Sequence, residues 1–210
     1  MHPCRSRHSR RALCVAFGAL APALAAAQLK WIDRPDERED TGIYSRTHQK
    51  QVDALALGGV IGLALAEGTE TRLGRTAWQA TDAALMTAVT TEAMKRVFGR
   101  PRPSQNLDPT VWFAGSRNRS FPSGEVAMVS ALATPFILNY RQDHPAVWAL
   151  AAVPLYMGRA RMASYGHWLT DVLAGAAVGA GYGWYATQRE TPLVLAATGH
   201  TVFIGLRYRF

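Results

Sequence analysis

Val172-Leu173-Ala174-Gly175-Ala176-Ala177-Val178-Gly179-Ala180-Gly181-Tyr182-Gly183-Trp184-Tyr185 carries no charge and lacks the alternation of a strand. It reads as the middle of a helix, over about 167–187, that packs closely through glycine and alanine. Four earlier stretches have the same helical character, at about 51–67, 76–98, 124–140 and 145–160. Breakers separate them, notably Gly99-Arg100-Pro101-Arg102-Pro103 and Asp143-His144-Pro145. The expected fold is all-α, a helical bundle of about five to six core helices. Only the end alternates: Val202, Ile204, Leu206, Tyr208 and Phe210 interleave with Thr201, Phe203, Gly205, Arg207 and Arg209. That pattern predicts a short C-terminal β-hairpin or strand turning at Gly199-His200. Nothing upstream supplies the alternating strands of a barrel.

The uninterrupted apolar runs are about 13–15 residues, short of the roughly 20 that cross a bilayer. The second stretch also contains Asp82, Thr87, Thr90, Thr91 and Glu92. A bundle outside the membrane is the better expectation; an embedded one is the alternative, because the last stretch is free of charge. In 210 residues, 49% apolar and 18% charged, a core can form and disorder is excluded. The formal charge of +8 shrinks when the N-terminus is read separately. Residues 1–27 have the plan of a signal peptide: Arg5, Arg7, Arg10 and Arg11, then apolar Ala12 to Leu24, then Ala25-Ala26-Ala27. Cleavage there removes four arginines and no acid, lowering the charge from +8 to +4, so no nucleic-acid footprint is expected. Both cysteines, Cys4 and Cys14, leave with it. The remaining 28–210 is read as one helical domain, exported and periplasmic, with 28–50 as an exposed, charge-rich leading segment.

Three segments carry chemistry: Lys95 with Arg102-Pro103; Ser120-Phe121-Pro122-Ser123-Gly124-Glu125 at a helix start; and Arg161, His167 and Asp171. Arg102 and Arg161 can each donate bidentately to an oxyanion, and Lys95 adds a point charge. Ser123-Gly124 places free backbone N–H groups and the positive end of a helix dipole beside that anion. His167 and Asp171 stand at i, i+4, which on a helix would let the carboxylate hold one imidazole nitrogen and free the other for attack. The polar loop of about 100–122 adds Trp112, Phe113, Arg117 and Arg119, either as a pocket wall or as a cover for the bundle end.

Together the segments resemble the signature of the type 2 phosphatidic acid phosphatase superfamily, which includes bacterial acid phosphatases and vanadium haloperoxidases. That signature reads Lys-x6-Arg-Pro, Pro-Ser-Gly-His and Ser-Arg-x5-His-x3-Asp. The likeness covers roughly 76–187. It implies that Lys95, Arg102, Ser123, Gly124 and Arg161 bind phosphoryl oxygens, that His167 forms a phosphohistidine, and that Asp171 orients it. It implies no metal and no cofactor. The implied substrate is a phosphorylated lipid, an isoprenoid diphosphate or a small phosphate ester, with membrane-surface association an open alternative.

Two positions depart from the signature. Ala160 replaces the serine before Arg161, and Glu125 replaces the histidine that protonates the leaving oxygen. Substrate repulsion would let Glu125 hold a proton and act as the acid, whereas the helix N-terminus and the arginines would ionise it. In the second case the chain is slow, restricted to good leaving groups, or a phosphate- or headgroup-binding protein without turnover. A membrane-embedded lipid phosphatase is the other alternative.

Overall fold

The computed structural model describes residues 29–35 and 37–189, and the backbone of 195–198 and 201–204. The expected signal peptide lies outside the described residues. Among the described residues, a helical turn at 29–32 is followed by the α-helices α1 (Arg46–Glu67), α2 (Arg72–Phe98), α3 (Gly124–Tyr140), α4 (Ala152–Ala163) and α5 (Leu169–Thr187). Short 3-10 turns, Gly42–Tyr44 and Pro145–Ala151, precede α1 and α4. The stretch expected as helix from 145 thus begins as a 3-10 turn. Among the described residues, no helix is long and apolar enough to cross a membrane. The backbone also pairs Leu195–Thr198 antiparallel with Thr201–Ile204. The turn between them and residues 205–210 lie outside the described residues.

Helix α3 is the centre, packed against α1, α2, α4 and α5. Its closest neighbour is α5, and three glycines one turn apart explain why. A Cβ on Gly175 would lie 2.4 Å from the Ser123 carbonyl oxygen, one on Gly179 2.0 Å from that of Ala127, and one on Gly183 2.5 Å from Thr134 Cβ. Backbone therefore rests on backbone, which small residues at this spacing permit. The contact fixes the start of α5 beside the start of α3, where two of the three motifs lie. The rest of the core is equally fine-grained: Ala80, Ala84 and Leu132 in one cluster, Val126, Val129, Met157 and Val172 in another.

Helix α2 ends at Gly99, whose φ of 47° is left-handed, and a Cβ there would meet the Gly115 carbonyl oxygen at 2.8 Å. The chain then folds back: Phe113 N–H donates to Phe98 O (2.8 Å) and Ser120 N–H to Arg100 O (2.9 Å). Trp112 packs edge-on against Phe98 and Phe121 and covers the Arg100 guanidinium at 4.3 Å. Of the two readings of this loop, its tryptophan takes the covering one.

The leading segment is largely exposed, as expected, with buried exceptions. Asp33 is 1% exposed and Gln49 fully buried, while Glu39 N–H donates to Ala163 O at 2.9 Å. Residues 29–50 run back over the bundle end and close one side of the site, because Asp33 has a buried cation to meet.

Candidate active site

The N-terminus of α3 is the floor of the site. Ser123 N–H donates to Asp171 O (2.9 Å), which ties α3 to α5, and the Ser123 hydroxyl is sealed from solvent without a hydrogen-bond partner. Lys95, from the last turn of α2, hangs over Gly124: a Cβ there would fall 2.5 Å from Nζ. Arg161, 4% exposed at the end of α4, lies across Gly166, where a Cβ would come 2.3 Å from Nη2. Burial pulls Arg161 down to about 10, so it remains a cation at neutral pH. Arg102 is half-buried within electrostatic reach of Glu125 and Asp171, and burial lowers it too. Among the described residues, neither Lys95 nor the Arg102 guanidinium has an ion-pair partner. Two half-buried cations, an unsatisfied hydroxyl and a helix N-terminus thus face one place. Leaving them so costs desolvation that only an anion returns.

His167 precedes α5 instead of belonging to it, because Trp168 is extended (φ −79°, ψ 160°). The helix-face pairing expected with Asp171 is therefore replaced. Nδ1 lies 2.7 Å from the Ser120 carbonyl oxygen and 3.7 Å from Asp171 Oδ2. A carbonyl only accepts, so Nδ1 carries the hydrogen and Nε2 keeps its lone pair. Burial, above all, pushes the imidazole down to about 4, and Arg161 and Arg102 disfavour its cation further. At neutral pH it is an uncharged nucleophile.

Asp171 orients this assembly at one remove. Its Oδ2 accepts from Ser120 Oγ (2.5 Å) and Trp168 N–H (3.0 Å), and its Oδ1 from Arg100 Nη1 (2.6 Å). Burial pushes its carboxyl up, but the nearby His167 ring, the Arg100 charge and the Ser120 hydrogen bond hold it below its ordinary value. Arg100 is wholly buried. It bonds Asp171 on one side and Asp33 on the other (2.7 Å), with Thr170 Oγ1 and the Pro109 carbonyl accepting at 2.8 Å, while Nε is left without a partner.

Glu125 stands in the first turn of α3, as expected. Arg46 from the start of α1 grips both its oxygens, Nη1 at 2.7 Å, and Arg161 Nε lies 2.9 Å from Oε2. Burial raises its carboxyl, but the Arg46 hydrogen bond and the charges of Arg161 and Arg46 prevail and lower it. Without substrate, Glu125 is therefore held as a carboxylate. Gln49 joins the group: its Oε1 accepts from Arg161 (2.9 Å) and Arg46 (3.0 Å). Among the described residues, no cluster of three or more His, Cys, Asp or Glu has the form of a metal site.

The three motifs therefore meet. Sequence reading missed Arg46, Gln49, Asp33 and Arg100. For the first two a signal existed, since Arg46, Gln49 and Asp53 recur at one helical face. Arg119, held open as an auxiliary cation, pairs with Glu92 instead, and Arg117 is exposed.

Comparison with known proteins places this geometry. The family model described as PAP2 superfamily matches residues 76–192. A lipid A 1-phosphatase of Porphyromonas gingivalis is 39% identical over 90 residues, 41% of this chain. The match spans only 18% of that protein's length. The crystal structure of Aquifex aeolicus LpxE superposes with a TM-score of 0.54 at 20% identity, covering 78% of this chain and 94% of that one, and establishes likeness of fold.

Proposed function

Because the chain belongs to the PAP2 superfamily, we propose that it is an exported phosphatase that hydrolyses a phosphate monoester or diphosphate through a phosphohistidine. The observation that carries this is the His167 imidazole, neutral and locked by Ser120, with Nε2 unencumbered beside cations that lack an anion. Nε2 attacks phosphorus while Lys95, Arg102, Arg161, the Ser123 hydroxyl and the Gly124 amide stabilise the equatorial oxygens. Water then cleaves the N–P bond. These cations supply the charge stabilisation that a metal supplies elsewhere, so the reaction is read as metal-independent.

The relative named as a lipid A 1-phosphatase favours a phosphorylated lipid over a small ester. The reading keeps residues 1–27 as the export signal, 28–210 as one helical domain, and the alternating C-terminus as a hairpin appended to it.

The test is release of phosphate from phosphatidate in mixed micelles with chelator present, alongside His167→Ala. Turnover is expected to vanish in the variant with the fold intact; undiminished turnover refutes the mechanism. The ionised Glu125 favours a second reading, an anion-binding protein without turnover. Tight vanadate binding by a wild-type chain that releases no phosphate would establish it.

A further inference from the structure

Glu125 is ion-paired to Arg46 and Arg161, and helix α1 holds a second carboxyl placed to serve the departing oxygen. Arg46, Gln49 and Asp53 stand at i, i+3 and i+7, on one face. The first two reach Glu125 and Arg161 directly. Asp53 lies one turn deeper, half-buried, with Oδ1 sealed from solvent and without a hydrogen-bond partner. Further along the same face, Ala56 and Val60 line an apolar cavity of about 280 Å³ with Val129, Leu132, Phe136 and Val153. By its place on α1, Asp53 stands between the charged end of the site and these apolar residues. A phosphoryl group among the cations, with an apolar alcohol along those residues, would set the bridging oxygen near Asp53.

We propose that Asp53 donates the proton to the leaving oxygen, with Glu125 serving as the fixed counter-charge of Arg46 and Arg161. The assignment rests on the phosphohistidine reading. As Nε2 of His167 bonds to phosphorus, the P–O bond to the alcohol breaks and the Asp53 proton moves to that oxygen, leaving the alcohol and an Asp53 carboxylate. Water then attacks phosphorus, the N–P bond breaks, and the water's proton returns to Asp53.

The groups that face Asp53 are Arg46 on its own helix, Glu125 from α3 and Arg161 from α4. Helix α2 meets α1 through Ala77, Trp78, Ala80 and Ala84, which do not titrate. Burial and the Glu125 charge raise the Asp53 carboxyl to about 7 against the pull of the two arginines. Two neighbouring carboxyls whose surroundings drive them apart divide the roles of charge and proton.

The experiment compares dodecyl phosphate, a poor leaving group, with p-nitrophenyl phosphate, a good one, on the full chain in micelles. Asp53→Asn is expected to slow the alkyl ester about 10²–10³-fold and the aryl ester less than about tenfold. Glu125→Gln should leave the ratio between the two esters unchanged. Equal losses on both esters in Asp53→Asn, or an unslowed alkyl ester, overturn the assignment. Should Asp53→Asn not fold, the wild-type profile decides: kcat for the alkyl ester must fall above pH about 7 while that for the aryl ester holds. A fall shared by both, or by neither, overturns it. Turnover that needs His167 but not Asp53 leaves the phosphohistidine reading standing, whereas a wild-type chain inert toward both esters refutes the two together.

Discussion

Replacing Arg100 with Met tests whether one buried cation holds the site together. The guanidinium gives up four hydrogen bonds, to Asp33, Asp171, Thr170 and Pro109, and its place under Trp112. Methionine fills much of the space but strands two buried carboxylates. Removing one partner of a buried pair costs about 3–5 kcal/mol, and two stranded acids put Arg100→Met toward the upper end. That is a large part of the roughly 5–15 kcal/mol available to a domain. The pH dependence carries a second signature. In the wild type the Asp171 carboxyl sits below its unfolded value, so its contribution is present at neutral pH and is lost as pH falls through the folded value. Unpaired in the variant, the same group titrates above its unfolded value, and the variant gains stability as pH falls. The deficit should therefore shrink between pH 7 and 5. Urea unfolding followed by tryptophan fluorescence measures it at both pH values, with Asp33→Asn added to the variant expected to return about 1 kcal/mol or more. A deficit under about 1 kcal/mol at pH 7, or one that grows on acidification, refutes the reasoning.

Acid stability should report His167. Its folded value, about 4, lies below the ordinary 6.5, so the stability it confers is present above pH 6.5 and lost down to about 4. That amounts to about 3 kcal/mol, and thermal melts of His167→Gln should be flatter across this window. Lys95→Met and Arg102→Met remove unpaired cations, so melting should hold or rise while kcat falls about 10²–10³-fold; a matching loss of stability would mean they serve the fold. Gly179→Ala drives a Cβ to 2.0 Å from the Ala127 carbonyl oxygen and should cost about 1–3 kcal/mol in urea unfolding. Gly124→Ala meets only the flexible tip of Lys95, so kcat should drop with little change in melting.

What was legible in the sequence was whatever a local pattern carries. Apolar periodicity marks the helices within a few residues at most ends, and close-set motif residues announce an anion site because their roles follow from residue type. What escaped depends on partners far along the chain. Asp33 sits in a run of charges that looks solvated residue by residue, and only Arg100, 67 positions on, makes burial tolerable. The His167–Asp171 spacing reads as one helical face until Trp168, extended, starts the helix two residues late and hands the imidazole to a backbone carbonyl. Glu125 is the sharpest case. Its neighbours in sequence leave open the contest between substrate repulsion and positive charge, and Arg46, 79 positions earlier, adds to the side of positive charge. That same clasp holds as a carboxylate the residue at the position where the resemblance places an acid. A chain that retained the nucleophile and the anion cage after such a change either ceased to turn over or moved the proton elsewhere. Asp53, with one carboxyl oxygen sealed and unbonded on the very helix that brings Arg46, is where the second course leads.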